Sequence, residues 1–300
     1  MPYAGELAAL GTAACWVATA VSFEVAGRRV GSLTVNLLRL VMAVGLLALA
    51  NLLRRGLPLP TDASAHAWLW LSVSGLVGFT FGDLCLFRAF VVLGSRLSTL
   101  LMALAPPFTV ILGLLLLGEV LRPVDLAGMA LTVGGVAWAV ADRRPRRALV
   151  APTAVDRRAR VQGVLLGLGG ALGQAGGLVL SKLGMGSYDP IAATHIRVIA
   201  GTAGYVALFF VLGWWPKVRP ALADRRALGF TALGAFFGPV VGVSLSLIAV
   251  QLVQAGVAAS LMATTPILIL PVAAWRGDRV GLGGVLGALV AVGGVILLFL

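Results

Sequence analysis

The sequence predicts an all-α membrane protein of ten transmembrane helices, built as two inverted five-helix repeats. Three observations predict it. First, 60% of the 300 residues are hydrophobic and only 11% are charged, against about 25% charged in soluble domains. Second, the apolar runs are near the ~20 residues a helix needs to cross ~30 Å of hydrocarbon. They are about twice the length of barrel strands and do not alternate in polarity, which excludes a β-barrel. Third, the chain repeats itself. Residues 5–48 align without a gap on residues 163–206 at a shift of 158, so Gly5 falls on Gly163, Gly11 on Gly169 and Arg39 on Arg197. Further on the shift is 160: Ser74-Gly78-Gly82 falls on Gly234-Gly238-Gly242, and Leu101-Met102-Ala103 with Pro106 on Leu261-Met262-Ala263 with Pro266. Five spans per copy is an odd number, so the second copy inserts upside down relative to the first.

The spans follow in order. Span 1 covers residues 5–26; it lacks a basic flank before Leu7, and its repeat partner at Val164 stays in the membrane. It is therefore read as a structural helix and not a cleaved signal. Span 2 covers 32–53, and span 3 covers 67–88 with the Ser74-Gly78-Gly82 stripe. Span 4 covers 97–117 and contains Pro106 and Pro107, and span 5 covers 124–141 after Gly118-Glu119. The first repeat is thus 1–142, and 143–160 is an Arg-, Pro- and Ala-rich linker without apolar period, read as a flexible tether. The second repeat, 161–300, holds spans 161–182, 190–213, 227–250, 255–275 and 281–300. Small residues every fourth position, as in Gly169-Gly173-Gly177, let helix backbones approach closely where lipid gives no hydrophobic drive. Pro106, Pro239 and Pro266 remove backbone donors inside spans, and the repeat-equivalent Pro106 and Pro266 are expected to kink their helices.

Charge sets orientation, not nucleic-acid binding. The net charge is +12, but the basic residues lie between apolar runs. Loops after odd-numbered spans carry sixteen Arg and Lys, and loops after even-numbered spans carry three, Arg54, Arg55 and Arg122. The positive-inside rule puts the first set, and the linker, in the cytosol of a cell (inner) membrane, with both termini outside.

Other classes are disfavoured by what is missing. No G-x-x-x-x-G-K-[ST] occurs, so ATP hydrolysis is not expected. Neither H-E-x-x-H, G-x-S-x-G nor C-x-x-C is present, and Cys15 and Cys85 both lie inside spans as packing residues. Two histidines, His66 and His195, do not suggest a metal site, and no cofactor is expected.

In each copy a proline in the fourth span precedes a Gly-acid pair and a glycine-bearing fifth span. The first copy has Ala105-Pro106, Gly118-Glu119, Asp125, Gly128 and Gly134; the second has Thr265-Pro266, Gly277-Asp278, Gly287 and Gly293. This pattern resembles the EamA family of the drug/metabolite transporter superfamily over nearly the whole chain. The chain departs from the family in carrying Asp278 where Glu is commoner, and in an arginine count that places both termini outside. The resemblance implies a five-plus-five inverted fold, a central cavity lined by spans 1, 3, 4, 6, 8 and 9, and export or exchange of small metabolites such as amino acids.

Ionisable groups inside the spans are the sharpest functional signal, since each costs at least ~2.5 kcal/mol on insertion scales and faces a cavity or a partner. They are Glu24, Arg39, Asp83, Arg88, Lys182 and Arg197, with His195 beside them. At ~1.5 Å rise per residue, Arg39, Asp83 and Glu24 fall on the cytosolic side of the midplane and Arg197 and Lys182 on the outer side. That separation is expected to serve two alternating gates. Arg39 and Arg197 have snorkelling or helix capping as the alternative, Glu24 and Lys182 an interfacial position, and His195 packing. Asp83 is too short to snorkel and must pair, with Arg39 as the candidate, or protonate. Trp16 and its repeat partner Gln174, Phe23, and Thr264-Thr265 before Pro266 complete the candidate substrate and gating set.

The reading is a secondary transporter of small organic metabolites working by alternating access. Its partners are the bilayer, a small-molecule substrate and protons as a candidate coupling ion, with a monomer or weak homodimer as the assembly. A facilitator without ion coupling on the same fold is the first alternative. An integral-membrane enzyme using Asp83 and His195 is disfavoured because those residues fall on opposite sides of the midplane. A receptor or purely structural subunit is disfavoured by the lack of a soluble signalling domain.

Overall fold

The computed structural model describes residues 3–141, 157–269, 271 and 281–299, and these contain helices and no strands. Most of the basic linker, and the loop with Gly277-Asp278, Arg276 and Arg279, lie outside the described residues. Helices α1 (Ala4–Val30) and α2 (Ser32–Arg55) are stopped by Gly31 and Gly56, whose φ values of 83° and 71° suit a residue without Cβ. Helix α3 (Ala65–Gly75) starts under a Ser64 cap that accepts the Ala67 N–H at 3.1 Å. It runs through a π-helical segment, Leu76–Gly82, into α4 (Asp83–Met102). Helices α5 (Ala105–Leu117) and α6 (Pro123–Ala141) complete the first copy.

The second copy repeats this order. It comprises α7 (Arg157–Met185), α8 (Pro190–Val211, capped by Asp189) and a short α9 (Val218–Ala223). Then come α10 (Arg225–Ala235), a second π-helical segment, Phe236–Gly242, and α11 (Val243–Leu252). Helices α12 (Ala255–Met262), α13 (Thr265–Leu268) and α14 (Leu282–Leu298) end the chain. Among the described residues six helices are long and apolar enough to cross a membrane, and four shorter apolar helices accompany them.

The π-segments fall at repeat-equivalent positions. The Asp83 N–H bonds to Gly78 O, and the Val243 N–H bonds to Gly238 O, each five residues back. Pro239 lies in the second segment, but the first has no proline, so proline alone does not cause the distortion. The two bonds fix Asp83 and Val243 as structural counterparts.

Packing is reciprocal between copies. Helix α1 lies along α10, its π-segment and α11, while α7 lies along α3, its π-segment and α4. Phe23 presses on Gly234 and Thr19 on Gly238; the equivalent contacts are Ser181 with Ser74, hydroxyls 2.8 Å apart, and Gly177 with Gly78. Small residues are required here: a Cβ at Gly177 would sit 2.9 Å from the Gly78 Cα. Helix α6 meets its own counterpart α14, with Gly128 against Gly294 and Gly135 against Gly287, so the two run antiparallel. Helices α2 and α8 also run antiparallel, joined by Asn51–His195 at 3.2 Å and Arg54–Asp189 at 3.4 Å.

Three sequence expectations need correction. Residues 89–96 were expected to form the loop between spans 3 and 4; instead α4 continues to Met102. That stretch holds no proline and only one glycine, so nothing interrupts the helical hydrogen bonds until Pro106 and Pro107 remove two donors. Consequently Pro106 and Pro266 do not kink continuous helices. Each occupies the first turn of a new one, α5 or α13, where a missing N–H costs nothing, after a two-residue turn. In the basic segment after α8, read as a loop, Trp215–Lys217 forms a 3-10 turn leading into α9.

Candidate functional site

A cavity of about 190 Å³ lies where the two copies meet. Repeat-equivalent pairs line it: Trp16 with Gln174, Met102 with Met262, Ala103 with Ala263, Ala105 with Thr265, and Pro106 with Pro266. Spans 1, 3, 4, 6, 8 and 9 all contribute, as the family resemblance implies, and Val136 from α6 and Arg197 from α8 join them. The helix breaks before Pro106 and Pro266 place backbone without helical partners beside this space, which is where irregular backbone is tolerated in a membrane. The Thr265 hydroxyl donates to Met262 O at 2.9 Å and lies 3.5 Å from Ala13 O, bridging α13 to α1.

A buried charge cluster adjoins the cavity. Arg39 forms an ion pair with Asp83, the partner the sequence suggests, with the two side chains only 12% and 13% exposed. The Arg39 guanidinium lies 5.3 Å from the centre of the Phe23 ring, and that of Arg197 lies 5.1 Å from the Phe79 ring, both cation–π distances. Arg197 is within electrostatic reach of Asp83 but makes no ion pair with it within 4.0 Å. Asn36 and Tyr205 are both fully buried near Asp83.

The remaining candidates lie elsewhere. Lys182 pairs with Glu119 at 2.6 Å and donates to Val253 O at 2.6 Å, while Glu119 also accepts the Ala255 N–H at 2.9 Å. This ties α7, the α5–α6 connection and the start of α12 together at one end of the bundle. Glu24, 48% exposed, pairs with Arg28 on its own helix at 2.6 Å. His195 is fully buried between α2 and α8 and does not line the cavity. The Thr264 hydroxyl is turned to Leu261 O at 2.7 Å, also outside the cavity lining. Phe79, Met102 and Met262 line the cavity and were not singled out; Met102 and Met262 already stood in the aligned repeat.

The ends of the bundle are also linked. Asp224 caps α10 through the Arg226 and Ala227 N–H groups and pairs with Arg29 at 2.7 Å. The Ala227 amide and the Arg29 guanidinium hold its carboxyl below the usual aspartate range. At the other end the Tyr188 hydroxyl donates to Asp62 at 2.9 Å, and Arg55 pairs with Asp62. Burial pushes the Tyr188 phenol up.

No curated protein matches the chain. A solved protein crystal structure superposes at a TM-score of 0.71 with 20% identity, covering 98% of this chain and 94% of that one, a likeness of fold. The model of the EamA-like transporter family matches residues 3–141 and again 161–300, one match per repeat. The chain belongs to the EamA-like transporter family, part of the drug/metabolite transporter superfamily.

Proposed function

We propose that this protein is a secondary transporter, an exporter or exchanger of small organic metabolites such as amino acids, working by alternating access in the cell membrane. The observation that carries the proposal is the cavity at the repeat interface, lined by residue pairs equivalent under the internal repeat. A site that must face each side in turn is naturally built from two copies of one wall. All ten apolar helices cross the bilayer in this reading, and the copies are inverted. The antiparallel packing of α6 on α14 and of α2 on α8 supports inversion, because counterpart helices related by an axis in the membrane plane point in opposite directions. Both termini face outside and the linker faces the cytosol, on the sixteen-to-three basic bias. At about 190 Å³ the cavity is smaller than the ~300–1,000 Å³ of drug-sized sites, which favours metabolite-sized cargo.

The ion pair of Asp83 with Arg39 favours transport without proton coupling, since the carboxylate already has a structural partner. The test is uptake into proteoliposomes over a metabolite panel, with and without an imposed pH gradient. Substrate counterflow that a gradient does not enhance supports the uncoupled form, and gradient-driven accumulation abolished by Asp83→Asn supports proton carriage. Flux no faster than in empty liposomes for every compound that stabilises the protein contradicts transport.

A further inference from the structure

Arg197 has an unusual position for a buried cation. It is 5% exposed, it lines the cavity, its Nε has no hydrogen-bond partner, and among the described residues no carboxylate lies within 4.0 Å of it, Asp83 acting on it only from farther away. Its repeat counterpart Arg39 is provided for, being ion-paired with Asp83 from the end of the π-segment. In the second copy the counterpart of Asp83 is Val243, fixed by the equivalent π-helical hydrogen bond to Gly238. Val243 also lines the cavity, together with Arg197. So one copy supplies a carboxylate to its arginine, and the other presents its arginine and an apolar side chain to the same cavity.

We propose that Arg197 is the seat for the carboxylate of the transported molecule, which supplies the counter-charge that Asp83 supplies to Arg39. This rests on the reading of the cavity as the substrate site. The rest of the lining fits an organic body. Trp16, Phe79 and the two methionines offer apolar and stacking surface, and Gln174 and Thr109 offer hydrogen bonds. Arg197 is the only ionisable group among the described lining residues, so a cationic ligand would meet like charge and no acid. A guanidinium binds a carboxylate through paired N–H donors, which fixes orientation as well as charge. A simple carboxylate and the carboxylate of an amino acid share this chemistry.

The experiment measures binding to the full chain in detergent, by calorimetry and thermal shift, with four probes of one shape: phenylacetate, phenylalanine, phenylacetamide and phenethylamine. Phenylacetate, phenylalanine or both are expected to bind about tenfold or more tightly than the amide, with no binding of the amine. Preference between the first two separates a simple anion from an amino acid. Two variants test the seat. Arg197→Gln is expected to remove the advantage of carboxylate over amide. Val243→Asp supplies the second copy with the acid that the first copy has; it is expected to abolish carboxylate binding while the protein stays folded, as judged by an unchanged or raised melting temperature. Amide and carboxylate binding equally, with competition between them, would overturn the anion seat and leave the cavity as the substrate site. Carboxylate binding that both variants leave unchanged would overturn the seat and the cavity assignment together. No binding of either carboxylate would overturn the seat, and the proteoliposome flux assay would then judge the transport reading separately.

Discussion

At the scale of single residues, the important distinction is between charges that are paired and charges that are aimed at the cavity. The sequence shows that Asp83 is too short to reach water from within a span, and that reasoning leads to Arg39. It does not show that Arg197 lines the cavity while Arg39 does not, because depth along a helix ignores the rotation of the helix about its axis. Nor does it single out Val243, which the 160-residue shift pairs with Asp83 but whose place in the cavity wall needed the fold. The pairing has a measurable consequence. Asp83→Asn leaves Arg39 buried without its counter-charge, which is expected to cost about 3–5 kcal/mol of stability. Adding Arg39→Gln in the same chain is expected to recover most of that loss, read as the denaturation midpoint in detergent. At the bundle end, the depressed Asp224 carboxyl gives a pH dependence with a definite sign. Its stabilising contribution is fully present above the ordinary aspartate value of about 3.9 and is lost as pH falls through its lower folded value. Asp224→Asn is therefore expected to lower the melting temperature near neutral pH, with the difference from the parent protein closing as the solution is acidified below that value.

At the scale of elements, apolar length and glycine spacing made nearly every helix readable, and the failures share a cause. The break before α5 is set by the paired prolines and not by the polar residues between Arg88 and Leu97. Polarity marks where a chain leaves the membrane, whereas hydrogen-bond donors decide where a helix stops. The π-segments left no trace in the apolar pattern, since one extra residue in a turn does not alter composition. Their glycines do carry a signal: Gly78 lies against Gly177 of α7, and Gly238 against Thr19 of α1. Gly177→Leu is expected to destabilise the protein by about 1–3 kcal/mol or prevent its assembly, because the new side chain meets the Gly78 backbone. Gly45→Ala, where no atom lies within 4 Å of the added carbon, is expected to leave the melting temperature unchanged within error. Equal effects at the two sites would mean that the helices do not depend on this close approach.

At the scale of the whole molecule, the repeat was legible in full because identical residues recur at fixed shifts, and the family match divides at the same linker. The cavity was legible only in outline. Trp16, Gln174, Thr265, Arg197 and the two prolines stand in its wall, while Phe23, Glu24, Arg39, Asp83, Lys182, His195 and Thr264 do not. Most of these share polarity with the lining residues, and the rotation of each helix about its axis and its position along the bundle separate them. The symmetry itself leads to the claim that the cavity is exposed alternately to the two sides. Thr265 and its counterpart Ala105 line it from opposite copies, and the only cysteines to remove are Cys15 and Cys85. The most direct measurement uses Ala105→Cys and Thr265→Cys, each in a chain with both native cysteines replaced by serine. Each is exposed to a membrane-impermeant maleimide in right-side-out and in inside-out vesicles. Labelling of both positions from both sides, slowed from each side by a bound carboxylate probe, is the predicted result. Labelling confined to one side of the membrane, for both positions and under every condition, would contradict alternating access.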